Sequence, residues 1–147
     1  MPYLHFQFPP YLHHFLLQRS GYPPTAHRIH LRPHSPEHLY LALLLIKPPP
    51  GATPTPHIPG SLSVRAPTIK NKPATTYSYL PLPAQHAYTR ALKALFDIDM
   101  LTYIALHATP TTPIAPLLRT YCTHLSLPPE QYSTVRARYD RLARRKA

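Results

Sequence analysis

Four histidines, His27, His30, His34 and His38, recur at intervals of three, four and four residues. On one helix face such a series would present imidazoles that a metal ion can share. Pro33 and Pro36 interrupt any single helix carrying all four, and only Glu37 stands close enough in sequence to complete a donor set. No metal is expected. Cys122 offers a second chemistry, nucleophilic attack with His124 or His107 as base. Residues two apart on a helix point apart, however, and no Asn or Asp is placed to orient either imidazole. This single cysteine reads instead as a small buried side chain, and it can form no internal disulfide. No carboxylate pair suits acid–base work and no glycine-rich loop would cradle a phosphate. The chain is therefore expected to be no enzyme and to use no cofactor.

The third chemistry is that of cations. Residues 133–147, STVRARYDRLARRKA, contain six Lys or Arg and one acid, Asp140. Tyr132, Val135, Tyr139 and Leu142 follow one another at three, four and three residues, the period of an apolar helix stripe. Arg138, Arg141 and Arg145 keep the same rhythm on another face, and Arg136 and Arg144 flank Asp140 at i,i+4. A frayed tail has no reason to keep that period. The segment is read as a helix that packs on one side and holds an anion on the other. Arg is preferred to Lys in this part of the chain, and a guanidinium forks onto phosphate with two hydrogen bonds.

The whole chain agrees with that reading. Its 147 residues suffice for one modest domain with a usable core. They carry 16 Lys and Arg against 5 Asp and Glu, a formal net charge of +11, with 11 His in reserve at acidic pH. Such an excess speaks of an anionic partner: nucleic acid, an anionic membrane or an acidic protein. There are 22 Pro but only 3 Gly, two Val and no Trp. Gly, Val, Asp and Glu all take codons beginning with G, whereas the abundant Pro, His, Thr, Leu and Tyr can be written with C. Ala alone departs from the pattern. The bias implies a C-rich, G-poor coding strand, familiar in compact viral and organellar genomes. The N-terminus has no basic region followed by an apolar run and is broken by Pro9 and Pro10, so no secretory signal is expected; it is poor in acids, as a mitochondrial presequence is, but poor also in the Arg and Ser of one. The longest apolar run, LYLALLLI at 39–46, falls far short of the ~20 residues that span a bilayer.

These side chains must be positioned by helices. PPYLHHFLLQR, residues 9–19, has Pro at its start and Gly21 beyond its end. Residues 36–47 follow a capping Ser35, with Pro36 and Glu37 in the first turn, and are apolar nearly all round. A helix of that kind is expected at the centre of the domain or in a subunit interface. Residues 84–107 form one long helix or two, with Asp97 or Asp99 as cap of the second. A face of Ala84, Tyr88, Ala91, Leu92 and Leu95 points inward, and Arg90 and Lys93 lie off it. Thr112 is expected to cap a helix over 113–125, and the last helix starts near Pro128 and Pro129.

Between them, residues 48–83 hold ten prolines in thirty-six residues. Repeated proline removes donors and fixes φ, so no long helix or central strand is expected there. SLSVRA, residues 61–66, reads as at most a brief edge strand. The rest is expected to be an extended arm, roughly 100 Å long if straight, that orders only on assembly. The predicted fold is all-α: about five helices in a small bundle, divided into an N-terminal helical segment (1–47), a basic Pro-rich arm (48–83) and a C-terminal helical segment (84–147).

The helices after Thr112 resemble in outline a helix-turn-helix: a helix, a break at SLPPEQ, then a basic helix. The nearest comparison is the homeodomain, over about 35 residues. VRARYDRLARRK lacks the aromatic-plus-Asn signature of a homeodomain recognition helix, so a sequence-reading regulator is the weakest alternative. The sequence points first to a structural protein that coats or packages nucleic acid without reading it, a self-assembling subunit of a virion. The alternative is a basic subunit of a ribosome or mitochondrial ribosome. Candidate phosphate contacts are Arg65, Lys70 and Lys72 in the arm, Arg90 and Lys93 in the long helix, and Arg136, Arg138, Arg141, Arg144, Arg145 and Lys146 at the end. The expected partners are DNA or RNA and copies of the chain or other subunits.

Overall fold

The computed structural model describes residues 3–53 and 57–145. The order of elements is β1 (Tyr3–Phe6), α1 (Pro10–Ser20), β2 (Arg28–Ile29), α2 (Pro36–Leu44), β3 (Leu62–Arg65), α3 (Leu82–His107), α4 (Ile114–His124), a 3-10 turn (Pro129–Gln131) and α5 (Tyr132–Arg145). The all-α expectation is therefore wrong: the described residues are mostly helical, 53%, but a three-stranded mixed sheet organises the first half.

The strand that overturns the expectation is β3. SLSVRA is a proline-free window between Pro59 and Pro67, so each of its amides keeps its proton and can donate. It is the central strand, not an edge. β1 pairs with it antiparallel, Tyr3 opposite Arg65 and Phe6 opposite Leu62. β2 pairs with it in parallel, Arg28 opposite Ser63 and Ile29 opposite Val64. The Ser63 amide donates to the His27 carbonyl at 2.8 Å. Leu62 and Val64 are fully buried, and Ser63 is also buried, with its hydroxyl 2.7 Å from His5 Nδ1. The arm is thus docked on its own domain through β3. Downstream, the Ile46 and Tyr79 backbones exchange hydrogen bonds of 2.9 and 3.1 Å. The parallel strands β2 and β3 are joined through α2, a short βαβ unit.

The helix termini obey local chemistry where it is strong. α1 ends at Gly21, φ +80°, whose amide donates to the Gln18 carbonyl while that of Tyr22 reaches back to Leu17. The Ser35 side chain accepts from the His38 amide at 3.2 Å and starts α2. α2 stops at Leu44, sooner than expected, because Leu45 and Ile46 are already extended towards Tyr79. It is also not buried all round. Leu41 and Ala42 face the core, whereas Leu43 is 69% exposed and Leu39 and Tyr40 each 40%. As the crossover of the βαβ unit, α2 lies on α3 with one side only. Residues 82–107 form a single helix, about 39 Å long. Neither Asp97 nor Asp99 caps it. Thr112 does not cap α4 either: its hydroxyl bonds that of Thr109, and Pro113 occupies the cap position with no side-chain bond.

The core is one cluster spanning both halves of the chain. Tyr88, Leu92, Phe96, Met100 and Ile104 line the buried face of α3 at four-residue spacing. Phe96 stands at its centre, edge-on to Tyr11 and Phe15 of α1 at centroid distances of 4.8 and 5.3 Å, and 5.9 Å from Tyr121 of α4. Cys122 is buried, and burial pushes its thiol further from ionisation.

One ion pair sits inside this packing. Arg19, in the last turn of α1, grips Glu37, in the first turn of α2, with two hydrogen bonds, Nη2 to Oε1 being 3.0 Å. Glu37 is only 3% exposed. Burial pushes its carboxyl up, but the hydrogen bonds from Arg19, its own backbone amide and Ser35, together with the Arg19 charge, hold it below the ordinary carboxylate value. The Tyr88 hydroxyl donates to the Glu37 carbonyl at 3.0 Å and so ties α3 to the same point. Glu37→Gln should cost about 3 kcal/mol at neutral pH, the low end for a buried pair because Arg19 keeps some solvent. A depressed carboxyl contributes fully above its unfolded value, 4.5, and ceases to as pH falls through the folded one. Urea denaturation at neutral pH and near pH 3 should therefore show the parent losing stability in acid more steeply than E37Q; parallel losses would mean that Glu37 is not held ionised.

Candidate nucleic-acid interface

α5 is a docked, two-faced helix. Val135 is completely buried, and Tyr132, Tyr139 and Leu142 are half-buried against the core, so the expected stripe is the packing face. Arg141, Arg144 and Arg145 are exposed. Lys146 lies outside the described residues.

The remaining arginines of α5 have structural partners. Arg138 forks onto Asp97 of α3, Nη2 to Oδ2 at 3.0 Å and Nε to Oδ1 at 2.5 Å, with its guanidinium 5.7 Å from the centre of the Tyr11 ring. Its side chain and that of Asp97 are only 20% and 17% exposed, so the pair is largely out of water. Arg138 clamps α5 to α3 and α1. Arg136 pairs with Asp140 at 3.2 Å, as the i,i+4 spacing predicts. Arg144 does not share that carboxylate; its Nε donates to the Asp140 backbone carbonyl at 3.3 Å. Arg138, Arg141 and Arg145 do come together, lining with Leu142 and Asp97 a hollow of about 80 Å³.

The cations of the former arm serve separate places. Arg65, half-buried at the end of β3, lies with Nη1 3.5 Å from His30 Nδ1. Lys70 is exposed in a tight turn closed between Ile69 and Lys72, with Asn71 left-handed at φ +66°. Lys72 donates to the Leu43 carbonyl at 3.0 Å, satisfying one of the orphan acceptors at the end of α2. Lys72 and Lys47 both lie over the Tyr77 ring, at 5.5 and 5.7 Å. Arg90 is exposed and Lys93 half-buried on α3, neither in an ion pair among the described residues.

Sequence reasoning passed over Arg28, Arg32, Lys47 and Arg119. Arg28 stacks on Tyr3 and Arg119 on Tyr132, each 4.7 Å from the ring centre. Arg28 and Arg32 belong to an acid-free run between two helices, a signal of the same kind that drew attention to the arm. His27, His30, His34 and His38 do not converge, and no group of three His, Cys, Asp or Glu among the described residues could hold a metal ion.

The disposition of the acids decides the field. Glu37, Asp97 and Asp140 are paired with arginines, and Asp99 accepts from the Tyr121 hydroxyl at 2.6 Å. Of fifteen described Lys and Arg residues, only three make ion pairs. The other twelve face a surface almost without carboxylates.

Comparison with known protein families, curated proteins and solved structures finds no match. Among the described residues no helix is long and apolar enough to cross a membrane.

Arg138 and its helical neighbours should fail differently. Arg138→Ala removes two charge-assisted hydrogen bonds and should lower stability by roughly 1.5–3 kcal/mol. The Arg141→Ala, Arg145→Ala double variant should stay within about 0.5 kcal/mol of the parent. Chemical denaturation of both variants measures this, and equal losses would contradict the division of roles.

Proposed function

We propose that the chain is a structural nucleic-acid-binding subunit, which holds the phosphate backbone without reading bases and coats or packages it by assembling with further copies. The observation that carries this reading is the exposed arginine face of α5 on a helix anchored by Val135 and Arg138. Arg141, Arg144 and Arg145 are positioned before any ligand arrives, so binding orders little backbone. Each phosphate neutralised releases condensed counterions, which supplies affinity without sequence preference. The exposed face of α5 offers Ser133, Thr134, Ala137 and arginines, with no Asn or Gln to fork onto a base edge.

A second surface supports assembly. Tyr40 of α2 and Ile98 of α3 rim an apolar groove of about 240 Å³, floored by Tyr88, Leu92 and Leu95. Leu43 and Ile98 are 69% and 62% exposed. Such side chains gain by meeting an apolar partner, at about 25 cal/mol per Å² removed from water.

Fluorescence anisotropy with two oligonucleotides of unrelated sequence tests the proposal. Affinity should be equal for both and fall by orders of magnitude between roughly 50 and 200 mM salt if six or more phosphates are contacted. Replacing Arg141, Arg144 and Arg145 by Ala should flatten the plot of log K against log salt by roughly 0.7–0.9 for each phosphate left without its arginine. A flat salt response in the parent would overturn the reading. Tyr40→Glu with Ile98→Glu should leave binding to a short oligonucleotide intact and abolish larger complexes in sedimentation; complexes of unchanged size would remove the groove from the assembly.

A further inference from the structure

Away from α5, a cleft of about 490 Å³ opens where four chain segments meet: the end of α1, the loop after β2, the start of α2 and the end of β3. Its chemistry is carried by Arg32, Arg65, His30, His38, Ser20 and Tyr22. Arg32 and Arg65 both line it, and no Asp or Glu does. Glu37, the neighbouring acid in sequence, is held by Arg19.

The position is that of an anion site. β2 and β3 run parallel, and the cleft lies beyond the carboxyl ends of both and beside the amino end of α2. In a βαβ unit this is where an anion meets the positive pole of the helix; in α2 Pro36 has no amide proton and the His38 amide is bonded to Ser35, so the donors here are side chains. The donors are prepared as well as placed. Arg65 is steered by His30, whose Nδ1 is 3.5 Å from Nη1 and whose Nε2 is 3.3 Å from the Tyr3 hydroxyl. The Tyr22 hydroxyl accepts from the His30 amide at 3.0 Å, which leaves its own proton to donate. Arg32 lies close over the end of α1: a Cβ on Gly21 would come within 3.2 Å of its Nη2.

Two further atoms point the same way. Of the four buried side-chain polar atoms that make no hydrogen bond among the described residues, two are Ser20 Oγ and His38 Nδ1. Each is a polar group taken from water without a partner, at a cost of about 1–3 kcal/mol. Both belong to residues that line this one cleft. A tetrahedral oxyanion supplies several acceptors at once. It can take the two guanidiniums and accept from Ser20, Tyr22 and His38 together.

We propose that this cleft binds a phosphate monoester, held by Arg32 and Arg65 and hydrogen-bonded by Ser20, Tyr22 and His38. The volume exceeds what a phosphate alone needs and suits a ligand of nucleotide size. The phosphate belongs either to a free nucleotide or to the end of a nucleic-acid strand. The site is independent of the α5 face, so either proposal can fail alone.

Calorimetric titration of the full chain with inorganic phosphate, at ionic strength fixed with chloride, should give saturable binding to one site. Two-dimensional NMR should place the shifted amides at Gly21, Arg32 and Ala66. Arg32→Ala, exposed and outside the core, should weaken binding on the order of tenfold or more, and Ser20→Ala by less. The variant lacking Arg141, Arg144 and Arg145 should bind phosphate as the parent does. A nucleoside monophosphate that binds more tightly than phosphate, with no preference for 5′-phosphorylated over 5′-hydroxyl oligonucleotide, identifies a free nucleotide as ligand. A preference for the 5′-phosphorylated strand identifies a strand end. Linear, unsaturable shifts, or Arg32→Ala binding as the parent does, would overturn the site.

Discussion

The architecture depends on the hydrogen bonding of Leu62–Arg65 along both of its edges. One edge recruits the first strand of the chain, the other the short strand before α2. Four residues with free amides inside a proline-rich stretch thereby close a loop of some sixty residues onto its beginning. They also bring the carboxyl end of β3 beside that of β2, so that Arg65 and Arg32 line one cleft. Without that pairing the N-terminal strand has no partner, α2 has no sheet to cross, and the cleft has no floor.

Acidic residues are scarce, and the fold uses them as clamps. Glu37 joins α1 to α2, Asp97 joins α3 to α5, Asp99 joins α3 to α4 through Tyr121, and Asp140 braces α5 internally. Burial pushes the Tyr121 hydroxyl far up, so it remains a neutral donor to Asp99. Only Glu130 carries a carboxylate with no side-chain partner among the described residues. Most of the negative charge is thus consumed inside the molecule or along its seams. Arg19, Arg136 and Arg138 are consumed with it, and the other cations give the surface its positive field. A basic face and a stable core come from one economy of charge.

Much of this was legible locally. Ser35, Pro36 and Gly21 mark helix ends by chemistry that acts within three or four residues, and each stands where that chemistry predicts. The stripe of Tyr132, Val135, Tyr139 and Leu142 is likewise a local period, so α5 could be read as two-faced. Strand pairing was not legible, because β1 and β2 have four and two residues and their partner is far away in sequence. The prolines around SLSVRA hid a central strand by suggesting that nothing nearby could pair. Period also assigns a face without naming what lies against it. Arg138 has the spacing of a ligand contact, yet Asp97, forty-one residues earlier, takes its guanidinium. The phosphate cleft draws on four segments, and its clearest marks, the orphaned Ser20 and His38 atoms, exist only in three dimensions.

Amide hydrogen exchange in the free, unassembled chain tests the central claim most directly. If β3 is the middle strand of a folded domain, the Ser63 amide, bonded to the His27 carbonyl, should exchange only by substantial opening. Its protection should approach that of buried amides in α3 around Phe96. Fast exchange at Ser63 beside slow exchange at Phe96 would mean that the proline-rich segment is not docked in the free protein, and the account of sheet and cleft would fall.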